Sequence, residues 1–257
     1  MKTVLVQVLV RNNQKWIPYL KSMIDSLVQK RPDLKFDTWI YENDSTDNTK
    51  QIVKDNFTNY FIEDFNHPSD NRTRTKRLAS YRNNFKYNLK TQIDNADYIL
   101  LIDSNIFFGE TGFTLMMDTL TNYPDISMVC PHATVQTSLP CKFFYDTFAT
   151  ITMNDTKCGQ FTNVLECECD RPPKFHDIHC HKSRGYPPMN RADGPRHIQF
   201  KSCFGGFVLL RPEAYKDAQW FVNEETDCEH WQFCADIRKH GKIAMNRDAN
   251  VIWTEHF

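Results

Sequence analysis

Tyr98-Ile99-Leu100-Leu101-Ile102-Asp103-Ser104-Asn105 is an apolar run that ends abruptly in a carboxylate, a hydroxyl and an amide. The apolar part reads as a strand and the polar triplet as the loop at its carboxyl end. Upstream lies Arg74 to Ile93, a long helix that is basic at its start and carries Arg77-Leu78-Ala79-Ser80-Tyr81-Arg82-Asn83. Further back, Tyr60 to Glu63 is a short strand, Thr49 to Asn56 a helix with Asp47 or Asn48 as its cap, and Phe36 to Tyr41 a strand. Trp16 to Val28 has apolar residues at helical spacing with Pro18 in the first turn. Thr3 to Val10 is apolar and β-branched almost throughout, as a strand covered on both faces should be. The alternation of strands and helices predicts an α/β fold: a doubly wound, mostly parallel sheet with helices on both faces. Such sheets hold nucleotides and divalent metals at the carboxyl ends of their strands.

Downstream, Gly112 to Thr121 reads as a helix capped by Thr111, and Ile126 to Pro131 as a strand. Residues from about 154 to 197 lose periodicity and crowd Pro, Gly, His, Cys and charge, which reads as a long functional loop. Regular structure resumes with a strand over Phe204 to Leu210, a helix around Glu229 to His240 and a last strand near Asn250 to Trp253. At 257 residues the chain suits a single domain, with a donor half over 1–110 and an acceptor half over 111–257. A formal net charge of -1 argues against a global nucleic-acid or membrane field. No run is long enough to span a bilayer. Without a signal sequence, the nine Cys are expected to be mostly reduced thiols in a soluble, cytoplasmic protein (host cytoplasm, should the chain be viral). The sequons at Asn43, Asn56, Asn71 and Asn154 then carry no weight.

Asp103-Ser104-Asn105 has the place and spacing of a DxD motif, whose first and third side chains can turn toward one divalent ion. The third residue here is Asn, a neutral oxygen ligand. A strand-to-loop turn accounts for the same residues. Glu42, after the second strand, can accept from a nucleobase or ribose, while Asp44, Ser45 and Asp47 can serve the nucleotide or cap the next helix. Arg11 and Asn12 follow the first strand and would lie beside the base. Of the basic patch Arg72, Arg74, Lys76, Arg77 and Arg82, we assign Arg77 and Arg82 to the diphosphate, because Leu78 and Ala79 should seat that turn on the sheet. Ser104 completes the donor set.

For the acceptor, Tyr145 and Asp146 combine aromatic surface with a carboxylate, and Gly205-Gly206 allows either close backbone approach or a tight turn. Asp227 and Glu229, with His230, open a helix where a carboxylate can act on an acceptor hydroxyl, although capping explains the same position. His256 could return to the metal beside Asp103 and Asn105. Cys167, Cys169, His176, His179, Cys180 and His181 include enough ligands for a structural zinc, at spacings that match no standard finger; a lid with reduced thiols is the alternative.

Together the segments resemble GT-A glycosyltransferases. Leu78-Ala79 with Arg82-Asn83, Cys130, Phe144-Tyr145-Asp146, Lys201-Ser202-Cys203 with Gly206, and Cys228-Glu229 with Ala235-Asp236 are similar, in that order, to the fungal capsule-associated α-1,3-mannosyltransferase family. The resemblance covers roughly residues 35 to 253 as sparse motifs. It implies a metal-dependent retaining transferase using Mn2+ or Mg2+ and a nucleotide-mannose donor, GDP-mannose ahead of a UDP-sugar. The acceptor would be a glycan or glycoconjugate, and Glu229 would match the family's acidic residue near the reaction centre. Those fungal enzymes are membrane-anchored, and this chain carries no such segment. Two alternatives stay open. A sugar nucleotidyltransferase would place a Gly-rich basic loop after its first strand, where Arg11-Asn12-Asn13-Gln14-Lys15 has no Gly. A non-catalytic nucleotide-sugar or glycan-binding protein of the same fold is invited by Asn105.

Overall fold

The computed structural model describes residues 1–65, 74–136, 142–144, 149–153, 164–166, 196–222 and 228–253. The chain begins with β1 (Lys2–Val10), α1 (Ile17–Lys30), β2 (Leu34–Asn43), α2 (Thr49–Asn56) and β3 (Tyr60–Glu63). After α3 (Arg74–Asn88) and α4 (Lys90–Asp94) come β4 (Tyr98–Asp103), the short β5 (Ile106–Phe107), α5 (Glu110–Asn122) and β6 (Ile126–Gln136). β7 (Lys142–Phe144), β8 (Ile151–Thr152), β9 (Val164–Glu166), β10 (His197–Ser202) and β11 (Phe207–Leu210) lead to α6 (Pro212–Asp217), α7 (Glu229–Ile237) and β12 (Lys242–Trp253).

The strands form one sheet in the order β3-β2-β1-β4-β11-β6-β12-β10-β8. The first four are parallel throughout. β11 is antiparallel to both neighbours, β4 and β6, and so inserts a second-half strand directly beside the strand that carries Asp103. β6 and β12 are again parallel. Helices cover both faces, as the alternation of elements implies. On one face α1, α2 and α5 bury Ile17, Leu20, Ile24, Val53, Phe113 and Leu120 against Val4, Val6 and Val8 of β1. On the other, α3, α4, α6 and α7 bury Tyr81, Phe85, Ile93, Tyr215 and Phe233 against Leu5, Ile99 and Leu101. Alternate residues of β1 thus feed two cores, which is why its sequence is a continuous apolar run.

Several boundaries move. α5 starts at Glu110 with Gly109, not Thr111, as its cap residue, and the Glu110 carboxylate accepts a 2.6 Å bond from the Thr114 hydroxyl. The strand expected from Phe204 begins at Phe207, because Gly205 and Gly206 turn at φ +66° and +69°. β12 starts eight residues before Asn250; the register with β6 shifts between Asn246 and Asn250, and polar Arg247-Asp248 at that irregularity masks the strand in the sequence. β10 and β9 occupy stretches read as loop or left unassigned.

The thiol expectation fails at one pair. Cys130 on β6 and Cys203 after β10 form a disulfide, because β11 packs against β6 and brings the two Cα atoms within 6.3 Å. Cys228 and Cys234 are buried. The step from reduced thiols to a cytoplasmic setting therefore loses its support. Among the described residues, no helix is long and apolar enough to cross a membrane.

The bridge closes a loop of 73 residues. A loop of that length constrains the unfolded chain enough that Cys130→Ser with Cys203→Ser should lower unfolding free energy by about 2–4 kcal/mol. Urea unfolding of the two proteins checks this; equal midpoints would contradict it.

Candidate active site

β1, β2 and β4 end at one edge of the sheet. Val10 pairs with Glu42, and Leu9 with Asp103, so the loops after these three strands converge. The loops are stitched by their own polar groups. Asn12 adopts φ +47°, donates its N–H to Ser45 Oγ at 2.8 Å and accepts the Thr46 N–H on Oδ1 at 2.7 Å. Asn13 donates to Thr49 Oγ1 through its backbone and to Ser104 Oγ through its side-chain amide. Asn12 and Ser104, both candidate donor ligands, thus also hold the edge together. Arg11 is exposed beside them. Asp47 accepts the Thr49 N–H at 3.0 Å just before α2, whose cap residue is Asn48.

Glu42 is fully buried. Its Oε1 accepts the Ser45 N–H at 3.0 Å, and its Oε2 has no partner among the described residues. Burial pushes its pKa up, only partly opposed by Ser45. Asp44, at φ +51°, accepts the Phe65 N–H at 2.6 Å and the Tyr81 hydroxyl at 2.9 Å. It therefore ties β2 to α3. Burial, with Asp44 alongside, pushes the Tyr81 phenol up to about 12.

The centre of the edge is Arg82. Its Nη2 donates to Asp103 Oδ1 at 3.1 Å, and its Nε lies 4.0 Å from Glu229 Oε1. The guanidinium faces the rings of Phe204 and Trp220, with centroids 5.0 and 5.9 Å away. Burial alone would weaken its basicity, but Asp103 and Glu229 outweigh burial and hold it charged. Glu229 starts α7 and is 3% exposed; burial pushes its carboxyl up, against the pull of Arg82. His230 places Nε2 3.4 Å from Glu229 Oε1 and stacks on Phe204 at 4.0 Å between centroids. Burial, then the Arg82 charge, hold His230 neutral. Arg77 is half-buried five residues before Arg82.

The turn reading of the glycine pair holds. Gly205 and Gly206 form a turn, and Gly206 also approaches the site closely. Its carbonyl accepts the Asp103 N–H at 2.7 Å, and a Cβ there would lie 2.7 Å from Ile106 Cγ1 and 3.3 Å from Asp103 Oδ2. Phe204 and Trp220, which enclose Arg82, went unread in the sequence, where a lone aromatic carries no positional signal.

Asp103 and half-buried Asn105 offer one carboxylate and one amide oxygen, hard ligands that suit Mg2+ or Mn2+ when diphosphate and water complete the shell. Among the described residues, no group of three His, Cys, Asp or Glu side chains gathers to hold a metal unaided. His256, Tyr145, Asp146 and Asp227 lie outside the described residues, as do Cys167, Cys169, His176, His179, Cys180 and His181.

This architecture is that of the GT-A glycosyltransferases. Similar solved structures include S. aureus TarS 1-349, with TM-score 0.52 and 14% identity over 99% of this chain and 60% of that one. A second S. aureus TarS structure gives TM-score 0.53 at 15% identity, over 99% of this chain and 37% of its own. Glucosyl-3-phosphoglycerate synthase from Mycobacterium tuberculosis, solved with Mn2+, UDP and glucosyl-3-phosphoglycerate, gives TM-score 0.50 at 11% identity, over 100% and 72%. The chain thus spans about 60% of the length of the TarS fragment. At these identities the likeness establishes the fold. No protein-family model and no curated protein sequence matches the chain.

Glu42 gives a test of the edge. A folded-state pKa above the unfolded value near 4.5 means the folded chain binds this proton more tightly. The carboxylate therefore subtracts stability as pH rises above that value. Glu42→Gln should melt higher than the parent at pH 7.5, with the gain vanishing below pH 4. A gain confined to acid pH would contradict the assignment.

Proposed function

We propose that the chain is a metal-dependent glycosyltransferase that moves a hexose from a nucleotide diphosphate sugar to a glycan hydroxyl. The observation that carries this reading is the convergence of Asp103, Arg82 and Glu229 at the carboxyl edge of a GT-A sheet, with Gly206 against Asp103. Asp103 and Asn105 would hold the divalent ion, which neutralises the diphosphate leaving group. Arg82, permanently charged and fixed by two rings, orients the Asp103 carboxylate and adds positive potential behind the diphosphate. Glu42, buried with one oxygen unpartnered among the described residues, suits a donor N–H or hydroxyl of the nucleoside. Arg77 is the further cation for the diphosphate.

Glu229 stands opposite Asp103 across Arg82, where a carboxylate can stabilise positive charge at the anomeric carbon or accept from the acceptor hydroxyl. Burial raises its pKa against the pull of Arg82, as suits a group that exchanges a proton. Neutral His230 orients it. Asp227, Tyr145 and Asp146 belong to the acceptor side of this proposal, and His256 to the metal. Mannose, carried by GDP and transferred with retention, is the donor favoured by the motif resemblance. A UDP-sugar is the second reading, because a structural neighbour was solved with UDP and Mn2+.

Thermal unfolding with GDP-mannose and UDP-glucose, with Mn2+ or with EDTA, tests the proposal. Ligand at about a hundred times its Kd adds about 2.7 kcal/mol to stability. We expect one donor to raise the midpoint only with metal. Asp103→Asn should lose that shift, melt cooperatively, and lose transfer by about a hundredfold or more. A folded parent protein that responds to neither donor would overturn the reading.

A further inference from the structure

α3, α4, α6 and the segment after α6 line an open pocket of about 860 Å³. It falls in the size range of small-ligand sites, about 300–1,000 Å³. Its α3 wall is drawn from Lys76, Ser80, Asn83 and Tyr87, which recur at helical spacing on a different stripe from Arg82. Lys76 was counted in the sequence with the basic donor patch; the cavity puts it on this stripe instead.

The walls are built. The Asn83 amide donates to the Trp220 carbonyl at 2.7 Å and accepts the Trp220 N–H at 3.1 Å. Lys86 donates to the Lys216 carbonyl at 2.7 Å and to the Ala218 carbonyl, closing the end of α6. Burial there pushes the Lys86 ammonium down to about 8.

Charge on these walls is one-sided in a chain of net charge -1. Lys76, Lys86, Lys90 and Lys216 face the cavity against a single carboxylate, Asp94, which pairs with Lys90 at 2.8 Å and Lys216 at 3.0 Å. Two large aromatics stand exposed on the same lining, Tyr87 at 79% and Phe221 at 56%. Trp220 also lines it, is 2% exposed, and has an indole N–H with no acceptor among the described residues.

We propose that this cavity binds an anionic oligosaccharide, as a seat for the acceptor chain separate from the donor edge. Ammonium groups would meet carboxylate or sulfate, and the faces of Tyr87 and Phe221 would meet the C–H faces of sugar rings. The choice of a sugar over another anion rests on the glycosyltransferase reading; the charge and the aromatic lining do not.

The test is calorimetric titration of the whole chain, without donor or metal, so that failure here is independent of failure of the donor assignment. The probes are hyaluronan hexasaccharide, heparin-derived hexasaccharide, neutral maltohexaose and the hexanucleotide dT6. Lys76→Glu with Tyr87→Ala changes two side chains outside the donor cluster, and its melting midpoint reports that it folds. We expect at least one charged hexasaccharide to bind more tightly than maltohexaose and dT6, to weaken with added salt, and to lose about tenfold or more in the folded double variant. Absence of binding by both charged hexasaccharides, tighter binding of dT6, or affinity unchanged in the folded variant would overturn the proposal.

Discussion

A buried cation between two carboxylates is the constraint on which the site depends. Arg82 comes from α3, Asp103 from β4 and Glu229 from α7, so one guanidinium joins three elements distant in sequence. Removing such a group from water costs several kcal/mol, and only close partners offset it. Losing one partner of a buried pair typically costs about 3–5 kcal/mol. The fold meets that demand by inserting β11 beside β4, which carries Phe204 and the Gly205-Gly206 turn to the cluster. Chemistry and packing therefore share the same residues. Asp103 cannot move without disturbing Arg82, and Gly206 cannot gain a side chain without meeting Ile106 and Asp103.

The disulfide belongs to the same arrangement. Cys203 immediately precedes Phe204, and Cys130 lies on β6, the far neighbour of β11. The bridge thus pins the start of the turn that closes over Asp103. Cys130 and Cys203 entered the sequence reading only as two separate motif residues of a resemblance. Their partnership comes from the strand order, which no spacing in the chain reveals.

Other parts of the fold were legible for physical reasons. β1 and β4 announce themselves because both faces are covered, which forces continuous apolar runs. α2 and β3 keep the bounds read from the sequence, because polar Asp47-Asn48 precede one and flanking polar residues limit the other. β10 and most of β12 were not legible. Their alternation is weak, and a register shift at Asn246 breaks the pattern. The donor edge was readable as candidates: Arg82, Asp103 and Glu229 do converge, and Glu42 lies at the end of the strand two places from Asp103. Their division of labour was not. Asp44, Asn12 and Ser104 read as ligands, yet each is engaged in tying loops together, because short polar side chains at strand ends serve both purposes.

The central claim is that Asp103, fixed by Arg82, marks where metal and diphosphate meet. Anomalous diffraction at the manganese edge, from crystals grown with Mn2+ and GDP or UDP, tests it most directly. The account predicts one strong peak at coordination distance, about 2 Å, from an Asp103 oxygen and from the diphosphate. A manganese peak with diphosphate elsewhere in the chain, leaving Asp103 with Arg82 alone, would contradict it.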